Sequence, residues 1–282
     1  MKGWLIYREE DAERNQGFIT WLQEEAIEQG INLKLVLYHT LSYGVRDGEL
    51  FVDACSTLPD FVMMRVMDSL LSQQFEYLQI PVFNKARVAE IANNKAKTHQ
   101  LFGSYGIAMA DTYFLAKDQV NAYAMEHPFI LKEAKGRSGK QVYKIEQQKD
   151  LPNVDGEQYI VQAAAVYGKD LRVFVMGNEI IGAVLRSSDH DFKSNYSLGG
   201  TIKLYTLSEQ EKNVVKQIMD ILPADFIGID FVFDEKGRLL LNEIEDVVGS
   251  RSLVDLTNIN IASMYIRYIV STLLNGSRAR GK

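Results

Sequence analysis

Two apolar runs, Gly228-Ile229-Asp230-Phe231-Val232-Phe233 and Leu239-Leu240-Leu241-Asn242-Glu243-Ile244-Glu245, flank the polar turn Asp234-Glu235-Lys236-Gly237. Apolar alternation on either side of a short turn ending in glycine predicts a β-hairpin. A four-residue loop sets Phe233 opposite Arg238 and Asp230 opposite Leu241, and the period of two then puts Asp230, Glu243 and Glu245 on one face. Like charges gathered on one face of a sheet repel. A divalent cation reverses that sign, and carboxylates together with a substrate phosphate are the usual way to hold Mg²⁺. The same pattern also suits a solvated hairpin face.

The rest of the chain bounds what such a hairpin can belong to. Its 282 residues, 46% hydrophobic and 24% charged, suffice for a sizeable core and more than one domain. The longest apolar stretches, Phe61 to Met67 and Tyr265 to Leu274, are too short or too interrupted to span a bilayer, and the amino terminus runs into Trp4-Leu5-Ile6-Tyr7 without the pattern of a signal peptide. A membrane partner is therefore not expected. Cys55 is the one cysteine, which excludes an internal disulfide and suits a cytoplasmic location. A net charge of −6 argues against nucleic acid as a partner.

The first third alternates strand and helix. Trp4 to Tyr7, Leu33 to Tyr38, Phe61 to Val66 and Pro81 to Phe83 read as strands. Between them lie a helix with the apolar stripe Phe18, Ile19, Leu22, Ala26 and Ile27, ended by Gly30, and another around Leu70 to Leu78. This is a small parallel α/β domain closing near Asn84. One helix is expected from Ala86 to Tyr105. Strands at Phe129 to Lys132 and Gln141 to Ile145 follow, then a hairpin about Gly177-Asn178, a helix capped by Ser208 with Glu211, and a last helix from Ile259 to Leu274 closing at Gly276.

The loop Lys135-Gly136-Arg137-Ser138-Gly139-Lys140 offers backbone N–H groups and cations to an anion. It lacks the spacing of a Walker loop and of the dinucleotide fingerprint, and in isolation it reads as a hairpin turn. Paired with the acidic hairpin, it supplies the two halves of an ATP·Mg²⁺ site. The long polar stretch 186–201 has the residues to clamp a transferred phosphoryl group, with Arg186 at a strand end and Lys193 and Asn195 beyond it. His99 reads as a satisfied polar residue against its own helix, and no histidine spacing matches a zinc site.

These segments together resemble the ATP-grasp superfamily, in its RimK-type carboxylate–amine (α-L-glutamate) ligase branch. The likeness runs through Asn94-Lys95-Ala96-Lys97, Leu131-Lys132, Gly168-Lys169-Asp170-Leu171-Arg172, Arg186, Phe192-Lys193-Ser194-Asn195, Gly199-Gly200, Gly228-Ile229-Asp230 and Asn242-Glu243-Ile244-Glu245. It implies an α/β (α+β) fold in three parts: an N-terminal α/β domain (1–84), a small subdomain with a glycine-containing flap (85–158) and a C-terminal subdomain with the metal site (159–282). The resemblance makes Lys95 and Lys132 phosphate-binding lysines and Gly136, Arg137, Ser138 and Gly139 a closing flap. Gln162 and Asp170 join the nucleotide side, Asp230, Glu243 and Glu245 the metal side, and Arg186, Lys193 and Asn195 surround the transferred phosphate. Arg65 and Arg251 become candidates for reading a substrate carboxylate, since a guanidinium matches that planar group.

Two departures stand out. The family's Glu-x-Asn is Glu243-Ile244-Glu245 here, which adds a negative charge, and Asp246-Val247-Val248-Gly249-Ser250-Arg251 replaces the usual Ser-Pro-Gly loop. The segment Gln162-Ala163-Ala164-Ala165 also lacks the acid that holds the ribose in the family. The expected activity is ATP-dependent formation of an amide or peptide bond through an acyl phosphate, with Mg²⁺ or Mn²⁺. A small-molecule or peptide carboxylate and an amine or amino acid are the expected substrates, and a homo-oligomer is an expected assembly. A phosphotransferase on the same fold and a non-catalytic nucleotide-binding regulator are the rival readings.

Overall fold

The computed structural model describes residues 1–54, 57–121, 128–136, 141–163, 168–188 and 201–280. Its first sheet is parallel, in the spatial order Asn32–Leu37, Lys2–Tyr7, Phe61–Met64, Val82–Phe83. Alternation sends Leu5, Tyr7, Phe61 and Met63 to one face, against Ile19, Leu22 and Ala26 of the helix Gln16–Glu28 and against the C-terminal helix Ile261–Arg280. Trp4, Ile6, Val62 and Met64 go to the other face, against Leu71 and Phe75 of the helix Ser69–Tyr77. Burial on both faces is why these strands are continuously apolar.

Four local expectations change. Ile27 lies outside the buried stripe and is 70% exposed, because Ile19, Leu22 and Ala26 already cover the contact with the sheet. The single helix expected over Ala86 to Tyr105 is two, Ala86–Ala92 and Lys95–Ser104. Asn94 interrupts it by accepting a hydrogen bond from Lys97 N–H through Oδ1 at 3.2 Å, the capping preference of asparagine prevailing over continuation. The last helix runs on past Gly276 to Arg280, since a glycine ends a helix only where the chain turns left-handed. A hairpin of Ser42–Arg46 with Glu49–Asp53 was not expected; its turn, Asp47-Gly48 with φ of 53° and 83°, is the aspartate–glycine signal of a tight hairpin.

The second sheet is antiparallel, ordered Thr112–Ala116, Gln158–Ala163, Phe129–Glu133, Val142–Ile145. The third, also antiparallel, runs Thr201–Leu204, Glu179–Ser187, Lys169–Met176, Phe226–Phe233, Leu239–Glu245. Gly177, at φ 55°, turns its expected hairpin, and the Ser208–Glu211 capping box starts the helix Glu209–Ile221. That helix packs Val215, Ile218 and Met219 on this sheet.

The acidic hairpin has a different register from the expected one. Phe233 faces Leu239, not Arg238, and Asp230 faces Glu243, not Leu241. The turn closes around Asp234, whose Oδ1 accepts from the N–H groups of Lys236 and Arg238, with Gly237 at φ 76°. A bulge then adds Asn242 between the Phe231–Leu241 and Asp230–Glu243 pairs. Two slips of one residue each restore the face, so the acids still share one side.

Asn84 fastens the first sheet to the third. Its Oδ1 accepts from the N–H groups of Asp225 and Phe226 at 2.6 and 3.0 Å, and its Nδ2 donates to the carbonyls of Phe226 and Asp246 at 2.8 and 2.9 Å. The amide's whole hydrogen-bonding capacity is thereby spent on backbone groups distant in sequence.

Candidate active site

The three sheets meet around a cleft of about 1160 Å³. Tyr7, Phe18 and Arg65 line it from the first sheet and its helix, Ile130, Lys132 and Gln162 from the second, and Asp170, Arg172, Arg186, Glu243 and Glu245 from the third. Carboxylate oxygens of Asp230, Glu243 and Glu245 all lie within 4.8 Å of one another. Their repulsion is met by side chains of the protein itself. Arg172, opposite Asp230 on the neighbouring strand, donates from Nε and Nη2 to its two oxygens at 2.7 and 2.6 Å and also reaches Glu245 at 2.7 Å. Arg186 bonds Asp230 at 2.9 Å and Asp170 through Nε. Lys95 lies 3.5 Å from Glu243 and donates to the Gly136 carbonyl at 2.7 Å.

The electrostatics follow from this packing. Burial would raise the Asp230 carboxyl, but Arg172 and Arg186 outweigh it and hold it at about 2. Glu245 is raised, chiefly by burial and then by Asp230 and Glu243 against the pull of Arg172. Burial, with Lys95 adding to it and Glu243 opposing, lowers Lys132 to about 8. Its ammonium donates to Asn242 Oδ1 at 2.7 Å. His99 is buried and lowered to about 4, first by burial, so its ring is neutral at pH 7.

The remaining candidates are distributed along the cleft. Gln162 donates to Thr112 Oγ1 at 3.0 Å beside His99. Arg65 is buried yet lines the cleft; it donates to Tyr7 Oη at 3.2 Å and to the Val248 carbonyl at 3.0 Å, neither of which neutralises it. Exposed Arg251 begins the helix Arg251–Leu256 at the same end. Arg137, Ser138, Gly139, Lys193 and Asn195 lie outside the described residues. Arg172, Asn242 and the long reach of His99 went unassigned in the sequence. For Arg172 the available signal was its alternation with Asp170 in an otherwise apolar strand.

The all-oxygen donor set of Glu243, Glu245 and Asp230 suits a hard cation such as Mg²⁺. Glu243 and Glu245 line the cleft, whereas Asp230 lies beneath the two guanidinium groups and is 1% exposed.

A family profile described as RimK-like ATP-grasp domain matches residues 92–269. The chain belongs to that family. It shares 28% identity over 93% of its length, and 73% of the relative's, with N-acetylaspartylglutamate synthase A of Homo sapiens. A probable alpha-L-glutamate ligase of Parasynechococcus marenigrum is 29% identical over 71% of this chain and 45% of its own. Among solved structures, a RimK domain ATP-grasp protein of Sphaerobacter thermophilus superposes with a TM-score of 0.72 at 17% identity, covering 95% of this chain and 99% of that one. The ATP-grasp ligase PsnB, solved with a phosphomimetic variant of its minimal precursor, Mg and ADP, gives 0.68 at 15% over 95% and 97%. The fold is thus the expected ATP-grasp fold, and membership makes the protein an ATP-dependent, Mg²⁺-using ligase that joins a carboxylate to an amine. No helix among the described residues is long and apolar enough to cross a membrane.

Proposed function

We propose that the reaction runs through an acyl phosphate formed in this cleft. A substrate carboxylate oxygen attacks the γ-phosphorus of ATP and ADP leaves; the amine nitrogen then attacks the acyl carbon, phosphate departs with the carboxyl oxygen, and the amine proton passes to solvent. The observation that supports this most is the acid–arginine cluster. Arg172 and Arg186 pair with Asp230 in the cleft, and in this reading their charge helps to offset that of the transferred phosphoryl group. Lys95 and Lys132 bind the nucleotide phosphates, and Gln162 and Asp170 border the nucleotide. Glu243 and Glu245, with Asp230 behind them, would hold Mg²⁺, and Mn²⁺ would suit the same oxygens; when bound there, the ion would offset phosphate charge.

Arg65 and Arg251 supply the substrate end. The relatives named above share glutamate in their names. A cationic, partly aromatic wall of Arg65, Tyr7 and Phe18 suits an amino-acid amine whose own carboxylate pairs with Arg65. We assign the strand Gln158–Ala163 to the flap-bearing unit, because it pairs within the second sheet. A cytoplasmic location and a homo-oligomeric assembly go with this reading.

The test is ADP release against a panel of carboxylates, with and without amines, and with hydroxylamine as a trap. Carboxylate-dependent hydroxamate formation supports the acyl phosphate. A stable phosphorylated product with no need for an amine would make the protein a phosphotransferase, and nucleotide binding without turnover across the panel would make it a regulator.

A further inference from the structure

Asn242 is the extra residue of the bulge in the acidic hairpin, and both of its acceptor oxygens reach out of its own sheet. Its Oδ1 receives Lys132 Nζ at 2.7 Å, from the strand Phe129–Glu133 of the second sheet. Its carbonyl receives His99 Nε2 at 2.9 Å, from the helix Lys95–Ser104. A carbonyl only accepts, so the neutral ring carries its proton on Nε2. His99 Nδ1 faces Thr112 Oγ1 at 3.3 Å, and that hydroxyl also takes Gln162 Nε2 at 3.0 Å. One residue before the bulge, Leu241 N–H donates to the Ala108 carbonyl at 2.8 Å. The kink in the hairpin is therefore fastened to the helix and to the second sheet by separate hydrogen bonds.

We propose that His99 and Asn242 are positioning residues of the nucleotide site, with His99 pinning the bulge carbonyl so that Asn242 holds the Lys132 ammonium. This rests on the nucleotide role proposed for Lys132. A lysine side chain has many rotamers and, in a buried setting, needs an acceptor to select one. Asn242 provides that acceptor without a competing charge, leaving the ammonium's charge available to a phosphate. Its position depends on the bulge, and an unbonded buried carbonyl would favour another arrangement of that kink.

The experiment is calorimetric titration of the full chain with Mg²⁺ and a non-hydrolysable ATP analogue. The variants are Lys132→Met, Asn242→Leu, His99→Phe and His99→Gln, with doubles that combine Lys132→Met with His99→Phe or with Asn242→Leu. Asn242→Leu weakens binding roughly tenfold, the loss expected for one hydrogen bond to a charged group, and His99→Phe, which removes a neutral bond that acts through Asn242, weakens it several-fold. His99→Gln, whose amide N–H reaches the same carbonyl, recovers most of the affinity. Each double binds no more weakly than Lys132→Met alone, since the effect passes through Lys132. Equal losses with and without Lys132, or unchanged affinity in Asn242→Leu, overturn the proposal. If His99→Phe does not fold, the Asn242→Leu cycle decides, because it keeps the backbone and the His99 bond. Unchanged binding in Lys132→Met removes the nucleotide role of Lys132 itself, a different result from a weakened Lys132→Met beside unaffected His99 variants.

Discussion

Arg172 bridges Asp230 and Glu245, its Nη2 lying 2.6 Å from one carboxylate and 2.7 Å from the other. A guanidinium between two acids does in the protein what a cation does in an open carboxylate cluster: it reverses the sign of their mutual repulsion. The fork on Asp230 is bidentate and buried, so it cannot be removed cheaply. Arg172→Met leaves Asp230 with Arg186 alone and is expected to cost about 3 kcal/mol of unfolding free energy. Arg172→Lys recovers little of this, because an ammonium cannot reproduce the fork. Urea unfolding at pH 7 measures it, and a loss under about 1 kcal/mol would mean the pair contributes no more than a surface bridge.

Lys132 sets a pH dependence. Its ammonium, lowered from 10.5 to about 8, is charged below that pH and neutral above it. Nucleotide phosphates favour the charged form, so binding takes up a proton above pH 8, and the analogue's dissociation constant should rise by up to about tenfold per pH unit there. Stability of the ligand-free protein moves the opposite way: between about 8 and 10.5 the native state binds fewer protons than the unfolded chain, so this group adds stability as pH rises. Lys132→Met should bind weakly with a flat profile over pH 7.5 to 9.5. The same flat profile in the unaltered protein would contradict the assignment.

Asp225 carries an avoidable cost. Burial raises its carboxyl from 3.8 to about 6, against the hydrogen bond from Tyr268 Oη and the charge of Lys85. The native state therefore holds more protons than the unfolded chain between those values, and stability falls as pH rises through that window. Asp225→Asn keeps an acceptor for the Tyr268 hydroxyl, 2.8 Å away, and removes the buried charge. It should stabilise the protein by ~2 kcal/mol at pH 8 and by nearly nothing at pH 4. A shift of equal size at both pH values would exclude titration of Asp225 as the cause.

Much of this molecule is written locally. Ser208 with Glu211 and Gly177 in its hairpin are decided within a few residues of chain, and both are present in the structure; Asp230, Glu243 and Glu245 share a face as the alternation predicts, but only because the bulge at Asn242 cancels the slip at the turn. The parts that escaped depend on pairing across long separations. Arg172 reaches Asp230 because two strands 58 residues apart are neighbours, and Asn84 meets the backbone of Asp225 and Phe226 more than 140 residues away. The bulge at Asn242 escaped for another reason: an ideal hairpin and a kinked one share the same apolar pattern until a partner such as His99 is present to hold the kink. Asn94 and Asp47-Gly48 carry local signals of their own, a helix cap set against helical periodicity and a tight turn within a polar stretch.

Glu245 stands where the resembling family carries an amide, and its surroundings define what its charge does. Arg172 already pairs with it, whereas Glu243 faces Asp230 and has Lys95 3.5 Å away. Glu245→Asn keeps an oxygen at the same reach and loses one charge, so it should retain part of the activity with an altered Mg²⁺ requirement. Glu243→Gln removes the charge that faces both the metal side and Lys95 and should abolish turnover. Binding to the native state alone raises stability by mass action, about 2.7 kcal/mol at a ligand concentration of 100 times its dissociation constant. Mg²⁺ and a non-hydrolysable ATP analogue together should therefore raise the thermal midpoint of the unaltered protein and of Glu245→Asn, and raise it much less in Glu243→Gln. Turnover against Mg²⁺ concentration, read beside these midpoints, separates the two acids. Full activity in Glu243→Gln would place the metal elsewhere and leave the hairpin as an ion-paired structural element.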